Sequence, residues 1–364
     1  MSDVISTSAL PSALSTLLLR STQLRASIIN KTVFKGSPLL AELGRAGAIL
    51  PLPSVDSIAI RDPLAAITTY VESVPAAGTI TSSLSADLSS NLSFRTYVPA
   101  FVNSSLMLDA RKLALINGQN ALIRYLDEVT LQFANSNAIA LNGKVLSGFT
   151  ATAGTANSIS GLATQLAVVA RVSSAPTVHV TDIGGIYEAA NARLAPKRLV
   201  SQTITSATIV GLIRQMQLSL SASDRVNADS KFALSTQSAF LDLAAAMDGK
   251  FSPVSIVDLD LGLESISIGK TRIICEGGLD EVTLKGSVAD ADTLYFIDGG
   301  AVKLFSASGA SISPDAGMLF TETGDKVISD TNVNHAIRQQ FFGQLVVTEP
   351  MRCGILTTGS SNHQ

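Results

Sequence analysis

The stretch Asp109 to Asn142, DARKLALINGQNALIRYLDEVTLQFANSNAIALN, places the strongest constraint on the fold of this 364-residue chain. It is the longest run with helical periodicity. Leu115, Leu122, Leu126, Val129 and Phe133 recur at helical spacings and predict one apolar face of a helix over 109–135. Arg111, Lys112, Arg124, Asp127 and Glu128 fall mostly elsewhere on its surface. At about 1.5 Å per residue such a rod is roughly 40 Å long, more than an ordinary globular helix. Asp109 suits the positive end of the helix dipole, and Gly143 and Gly148 supply a stop. A core helix of any α+β domain would look the same, so the flanking segments have to decide.

Before it, the chain changes character twice. Residues 1–50 carry two short helical patterns. One starts near Ser12 with Leu14, Leu17, Leu18, Leu24 and Ile28 on one face, and the other begins at Pro38 and stops at Gly44. With no core of their own, they read as an arm that packs on something else. Residues 51–103 then read as a long two-stranded projection. Its strands are predicted at ITTYVESV (67–74) and LSFRTYV (92–98), with a Ser-rich tip between them. An isolated two-stranded ribbon is marginal in water. It needs a partner, either a neighbouring subunit or the chain's own domain as an edge hairpin.

After the long helix, residues 147–161 read as a Gly/Ser/Thr/Ala connector. Helices are predicted in LATQLAVVARV, SATIVGLIRQMQLSL and SAFLDLAAAMDGK, and strands in KFALST, SPVSIVDLD and SIGKTRIICEGGL. From 294 onward LYFID, AVKLFS, DKVIS and QQFFGQLVVTEPMRCGIL are strand-like, and Pro350 implies an edge or a bend in the last. Gly277-Gly278 and Gly299-Gly300 read as hairpin turns.

Composition narrows the function. The chain is 46% hydrophobic yet 15% charged, below the usual share of about 25%, so excess apolar surface is expected to meet other protein. No apolar run reaches the roughly 18 residues of a membrane helix. The net charge of −3, the absence of Trp and the lack of a basic cluster argue against a phosphate-tracking or base-stacking surface. Cys275 and Cys353 make no disulfide framework and read as small buried hydrophobes. MSDVISTSALPSAL lacks the basic and apolar regions of a signal peptide, so a cytosolic product is expected.

No catalytic constellation emerges, and no cofactor or metal is expected. Gly269-Lys270-Thr271 is the one Walker-like fragment, but Glu264 stands where a phosphate loop needs glycine and the surroundings read as strand. His179, His335 and His363 have no His or Cys at a ligand interval. Asp258, Asp260 and Glu264 alternate as a solvated strand face would.

The order of these parts is itself specific. A helical arm, a long two-stranded loop and a spine helix ending ANSNAIALNGKVLSG come first. FALSTQSAFLDLAAAMDG, SIGKTRIICEGGL, DTLYFIDGGAVKLF and a closing FFGQLVVTEPMRCGIL follow. This order resembles the major capsid proteins of tailed bacteriophages, with the α+β HK97-like fold, over roughly residues 10–358. The resemblance implies an N-terminal arm at 1–50 and an extended E-loop at 51–103. It implies a peripheral domain of 104–148 with 325–364, and an axial domain at 149–324. It further implies a non-enzymatic structural protein that self-assembles as hexamers and pentamers into an icosahedral head around dsDNA, in the virion after assembly in the bacterial cytoplasm. A portal, a separate scaffolding protein and a decoration protein are the implied partners, and no membrane is involved.

Two departures sharpen this. Crosslinking members of the family join an E-loop lysine to a peripheral-domain asparagine. Residues 51–103 contain no lysine, and Arg61 and Arg95 are their only basic residues. A guanidinium stays protonated and cannot serve as that nucleophile, so no isopeptide bond is expected. The arm helix also begins near Ser12, leaving little room for a long scaffolding segment ahead of it. Arg61, Asp62, Glu72 and Arg95 are the expected inter-subunit charge contacts. An encapsulin-type compartment shares the fold and is the alternative. An α/β enzyme would need convergent acids, bases or a cofactor loop, and a tail protein would show repeats or strands throughout.

Overall fold

The computed structural model describes residues 34, 37–52, 60–65, 92–97, 99–109, 119–146, 159, 161–166, 196–220, 231–247, 264–269, 271–282, 292–307, 321–328 and 333–358. In chain order its helices are α1 (Pro38–Arg45), α2 (Gln119–Leu146), α3 (Leu162–Gln165), α4 (Ile209–Ser219), α5 (Gln237–Met247) and α6 (Gly277–Val282). Its strands are β1 (Ile49–Pro51), β2 (Ile60–Ala65), β3 (Leu92–Tyr97), β4 (Ala100–Asp109), β5 (Lys197–Leu199), β6 (Lys231–Ser235) and β7 (Ser265–Ile268). They continue with β8 (Thr271–Cys275), β9 (Thr293–Asp298), β10 (Val302–Ser306), β11 (Thr321–Ile328), β12 (Val333–Val347) and β13 (Gly354–Thr357).

The strands form two sheets and a ribbon. One sheet is built on β12, which has β4 antiparallel along one side and β11 followed by β10 along the other, with β1 added parallel to β10. The second has the order β5-β13-β9-β6-β8-β7. The ribbon is β2 paired antiparallel with β3.

Alternation explains how the six-stranded sheet is buried on both faces. Phe232, Leu234, Tyr295, Ile297 and Ile355 point into a large core shared with α1, α2 and the β12 sheet. Ala233, Ile273, Leu294, Phe296 and Leu356 point the other way, against Ile209, Ile213 and Met216 of α4 and Ala239, Phe240 and Leu243 of α5. Period-two side chains on a pleated strand produce this division directly.

Local signals set α1. Ser37 is its N-cap, Oγ accepting from Leu40 N at 3.3 Å, and Pro38 stands at a first-turn position where no N–H is needed. The helix runs past Gly44 and stops at Gly47, whose φ of +64° lets Ala48 N reach back to Leu43 O at 2.8 Å. Leu39, Leu40 and Leu43 are fully buried in the chain's own core. The expectation that this second arm helix packs on another body is therefore corrected, since the core supplies its apolar partners. The first arm helix, near Ser12, lies outside the described residues.

The long helix is present but shifted. Asp109 ends β4 instead of opening a helix, and α2 is described from Gln119 through Gly143 to Leu146. Over 129–146 the buried positions are Thr130, Ala134, Ala138, Leu141, Asn142, Val145 and Leu146, a stripe beside Val129 and Phe133, which are half-buried; Leu115 and the side chains of Leu122 and Leu126 lie outside those described. Small residues win that face because they let the helix lie close on the sheets.

Other expectations meet mixed outcomes. KFALST, LYFID and AVKLFS form strands close to the expected bounds, α4 falls within its expected segment, and α5 begins one residue ahead of its own. The strand expected at 67–74 and the one at 252–260 lie outside the described residues. Gly277-Gly278 opens α6 instead of a hairpin. Gly299-Gly300 does turn the chain, but from β9 in one sheet to β10 in the other. Pro350 lies in a short 3-10 turn, Pro350–Arg352, where the chain leaves β12 for β13 in the other sheet. Strand β10 thus joins β12, while β13 joins β9. Cys353 is fully buried, but Cys275 is only half-buried.

Candidate assembly surfaces

Strand β4 of the β12 sheet is covered on one face and bare on the other over 101–108. Leu108 of β4 is buried, whereas Phe101 and Met107 on the opposite face are 51% and 55% exposed. Asn103 and Ser105 are exposed between them. Phe101 meets Phe342 of β12 with ring centroids 6.2 Å apart, tilted by 56°. From Phe101 to Met107 the result is an uncharged strand face with an apolar residue at each end, and β4 has no second neighbour among the described strands. Exposed apolar faces of this kind mark contact with other protein.

The ribbon springs from this sheet. Leu52 N donates to Ser306 O at 2.9 Å, and Leu52, Tyr97, Val346 and Phe305 pack into one small cluster. Both legs of the ribbon therefore converge on the same patch of β10 and β12. Along the ribbon, Asp62 stands opposite Arg95 and Arg61 opposite Thr96. Three of the four expected contact residues are so brought onto one two-stranded element, with an acid and a base in register. Glu72 lies outside the described residues.

A buried polar joint ties the elements together from within. The Glu276 carboxylate, 1% exposed, accepts from Asn142 Nδ2 at 3.1 Å, Gly278 N at 3.1 Å and Leu39 N at 3.2 Å. Ser37 Oγ donates to Asn142 Oδ1 at 2.5 Å. One carboxylate thereby meets the first turns of both α1 and α6, where helix N–H groups have no internal partner. A Cβ on Gly278 would stand 2.9 Å from Leu146 Cδ1 and 3.0 Å from Asn142 Nδ2, so this approach requires glycine. Beside the joint Glu42 pairs with Arg45 at 3.1 Å and with Arg272, whose pKa burial lowers. Nothing in the local sequence flagged Glu276, because its partners come from segments up to 237 residues away.

The two crossings between sheets are also stapled. Arg352 Nη2 donates to Asp298 Oδ2 at 2.6 Å, Gly300 N donates to Asp298 Oδ1 at 2.8 Å, and Thr348 N donates to Ala301 O at 2.7 Å.

Chemistry of other kinds finds little footing. Gly269, with φ of +62°, makes the two-residue turn between β7 and β8, so Gly269-Lys270-Thr271 is a hairpin and not a phosphate loop. Among the described residues no three His, Cys, Asp or Glu side chains gather as metal ligands, and no helix is long and apolar enough to cross a membrane. His335 lies on β12 opposite Leu108, and His179 and His363 fall outside the described residues.

A spine helix and ribbon on one sheet, joined to a second sheet flanked by helices, is an arrangement with known counterparts. The cyanophage A-1(L) capsid protein superposes with a TM-score of 0.55 at 11% identity, over 88% of this chain and 92% of that one. The fold is the HK97-like capsid fold. The mature capsid of bacteriophage PhiM1 matches at 10% identity and a TM-score of 0.48, over 85% of this chain and 84% of that one. An encapsulin complex from Synechococcus elongatus gives 10% and 0.48, over 86% of both chains. The fold assignment rests on the first of the three. No protein-family model and no curated protein matches the sequence.

Proposed function

We propose that this chain is the shell-forming subunit of a tailed-phage head, assembling as hexamers and pentamers around dsDNA. The observation that carries the reading is the HK97-like fold together with a bare face on β4 and a ribbon rooted beside it. In this reading 1–50 act as the N-terminal arm and 51–103 as the E-loop. The peripheral domain is 104–148 with 325–364, and 149–324 is the axial domain. The ribbon reaches over a neighbouring subunit, and Arg61, Asp62, Glu72 and Arg95 make charge contacts there. Such surface pairs contribute little each, about 0–1 kcal/mol, so they set register more than strength. The DNA is enclosed without sequence-specific contact, in keeping with a net charge of −3. Scaffolding, portal and decoration proteins are the proposed partners.

Electron microscopy of size-fractionated protein tests this. Closed shells, or rings of five and six, are expected, without a covalent ladder on a denaturing gel. A monomer or dimer that persists with scaffolding protein and crowding agents would overturn the reading. Particles from cells that hold protein cargo in place of DNA would move it to an encapsulin.

A further inference from the structure

Gln165, 1% exposed, stands at an unusual place for a polar side chain. Its short helix α3 is pressed into the core by Leu162 and Leu166. From there the amide reaches β12 and bonds it twice, Nε2 donating to Leu345 O at 2.8 Å and Oε1 accepting from Val347 N at 2.9 Å. A primary amide making both bonds to residues two apart reproduces what a neighbouring strand would do.

The position is where a strand is missing. Strand β4 pairs along β12 until Ala100 opposite Gly343, and there the pairing stops. Ala307 N donates to Phe342 O and Thr348 N to Ala301 O, so the even-numbered residues of this part of β12 bond toward β10. Leu345 and Val347 therefore bond toward the β4 side. Continued in register, the chain would set Val98 opposite Leu345 and Thr96 opposite Val347. Gln165 occupies those two groups instead. Tyr97, 4% exposed, lies against Val346, and its hydroxyl donates to Gln165 Oε1 at 3.5 Å.

We propose that Gln165 is a positioning residue that ends the sheet edge after Ala100 and so sets the direction in which the β2–β3 ribbon leaves the body. Without its amide Leu345 O and Val347 N lose this partner, and the chain entering β4, continued in register ahead of Ala100, would be able to replace it. The β3 end of the ribbon would then be drawn onto β12. The importance of that course for shell geometry rests on the proposed function, while the joint itself does not.

Gln165→Leu, which keeps the bulk and removes both bonds, separates the two. In full-length, unassembled subunits, exchange at the Val347 amide is expected to rise about tenfold or more, the loss of one hydrogen bond, while the Ala233 amide of the second sheet keeps its protection. Residues 96–98 are expected to gain protection as they take over the edge. In assembly, shells of mixed diameter or open sheets are expected where the parent gives one size. Gln165→Met, which likewise removes both bonds on an unbranched side chain, should behave alike, and serves if the leucine variant fails to fold. Unchanged Val347 exchange with no gain at 96–98 would overturn the joint. An altered joint with shells of normal, uniform size would overturn its role in setting ribbon direction. Failure of the parent to form any shell would overturn the proposed function and leave the exchange result standing.

Discussion

The two sheets use the same pleat in opposite ways. In the six-stranded sheet both sets of alternate side chains find a core, so β9 is buried at every position from Thr293 to Asp298. In the β12 sheet both sets are buried over 343–347, where Tyr97 and Leu52 pack with Val346, but β4 alternates between partly covered residues and exposed ones, Phe101 and Met107 among them. A strand closed on both faces can serve only its own chain. One closed on a single face, with apolar residues on the other, has surface left for a partner. The difference leaves β4 with surface for a partner and gives the six-stranded sheet the task of holding the chain together.

The largest expected effect comes from attacking β12 where it is closed. A Cβ on Gly343 would stand 2.0 Å from Phe305 O and 2.7 Å from Phe341 Cζ. Gly343→Val should therefore cost more than about 3 kcal/mol, because backbone and not a mobile side chain must move. Chemical denaturation measures this, and a near-neutral result would mean that β10 and β12 are not packed as described. On the bare face the same sheet should behave differently. Phe101→Ser with Met107→Ser should change subunit stability by no more than about 0.5 kcal/mol. It should nevertheless reduce assembly, as read by sedimentation; shells at parental yield would place the contact elsewhere. The smallest effect lies in the second sheet at high pH. Burial pushes the Tyr295 phenol up from its ordinary value of 10.0. The folded state then holds a proton that the unfolded chain releases, so this group's contribution is intact below pH 10 and is lost as pH rises above it. Tyr295→Phe should flatten that alkaline loss of stability and leave neutral stability nearly unchanged. An alkaline limb identical to the parent's would show that Tyr295 does not titrate with unfolding.

How much of this could be read beforehand depended on whether the signal was local. KFALS, TLYFID and VKLFS announce themselves as strands because β-branched and aromatic residues cluster in them. The Ser37-Pro38 start of α1 is likewise local chemistry. On α2 the large Phe133 is only half-buried, whereas the smaller Ala134 and Ala138 are fully buried and permit the closest contact, a distinction that apolar spacing alone does not make. Strand order was not legible, since period-two patterning says which face is buried and not which strand lies alongside. That is why Gly299-Gly300 read as a hairpin although it carries the chain between sheets. Gln165 and Glu276 were invisible for the same reason: each acts on backbone brought near only by the finished fold. Of the candidate contacts, Asp62 and Arg95 could be chosen by charge, but their register opposite one another could not.

The ribbon root also has a mechanical meaning. Tension on the β3 leg of the ribbon reaches the sheet at Ala100, the first residue of β4. From there ten successive pairs, Ala100 opposite Gly343 through Asp109 opposite Asn334, tie β4 to the fifteen-residue β12. A pull along the strand loads those pairs in shear, all at once, whereas a pull across it would unzip them one by one. Strand β12 in turn passes the load to β10 and β11 on its far side. The sheet with the bare face is thus built as a splint, able to carry force from the ribbon along β4 into β12 and the strands beyond it.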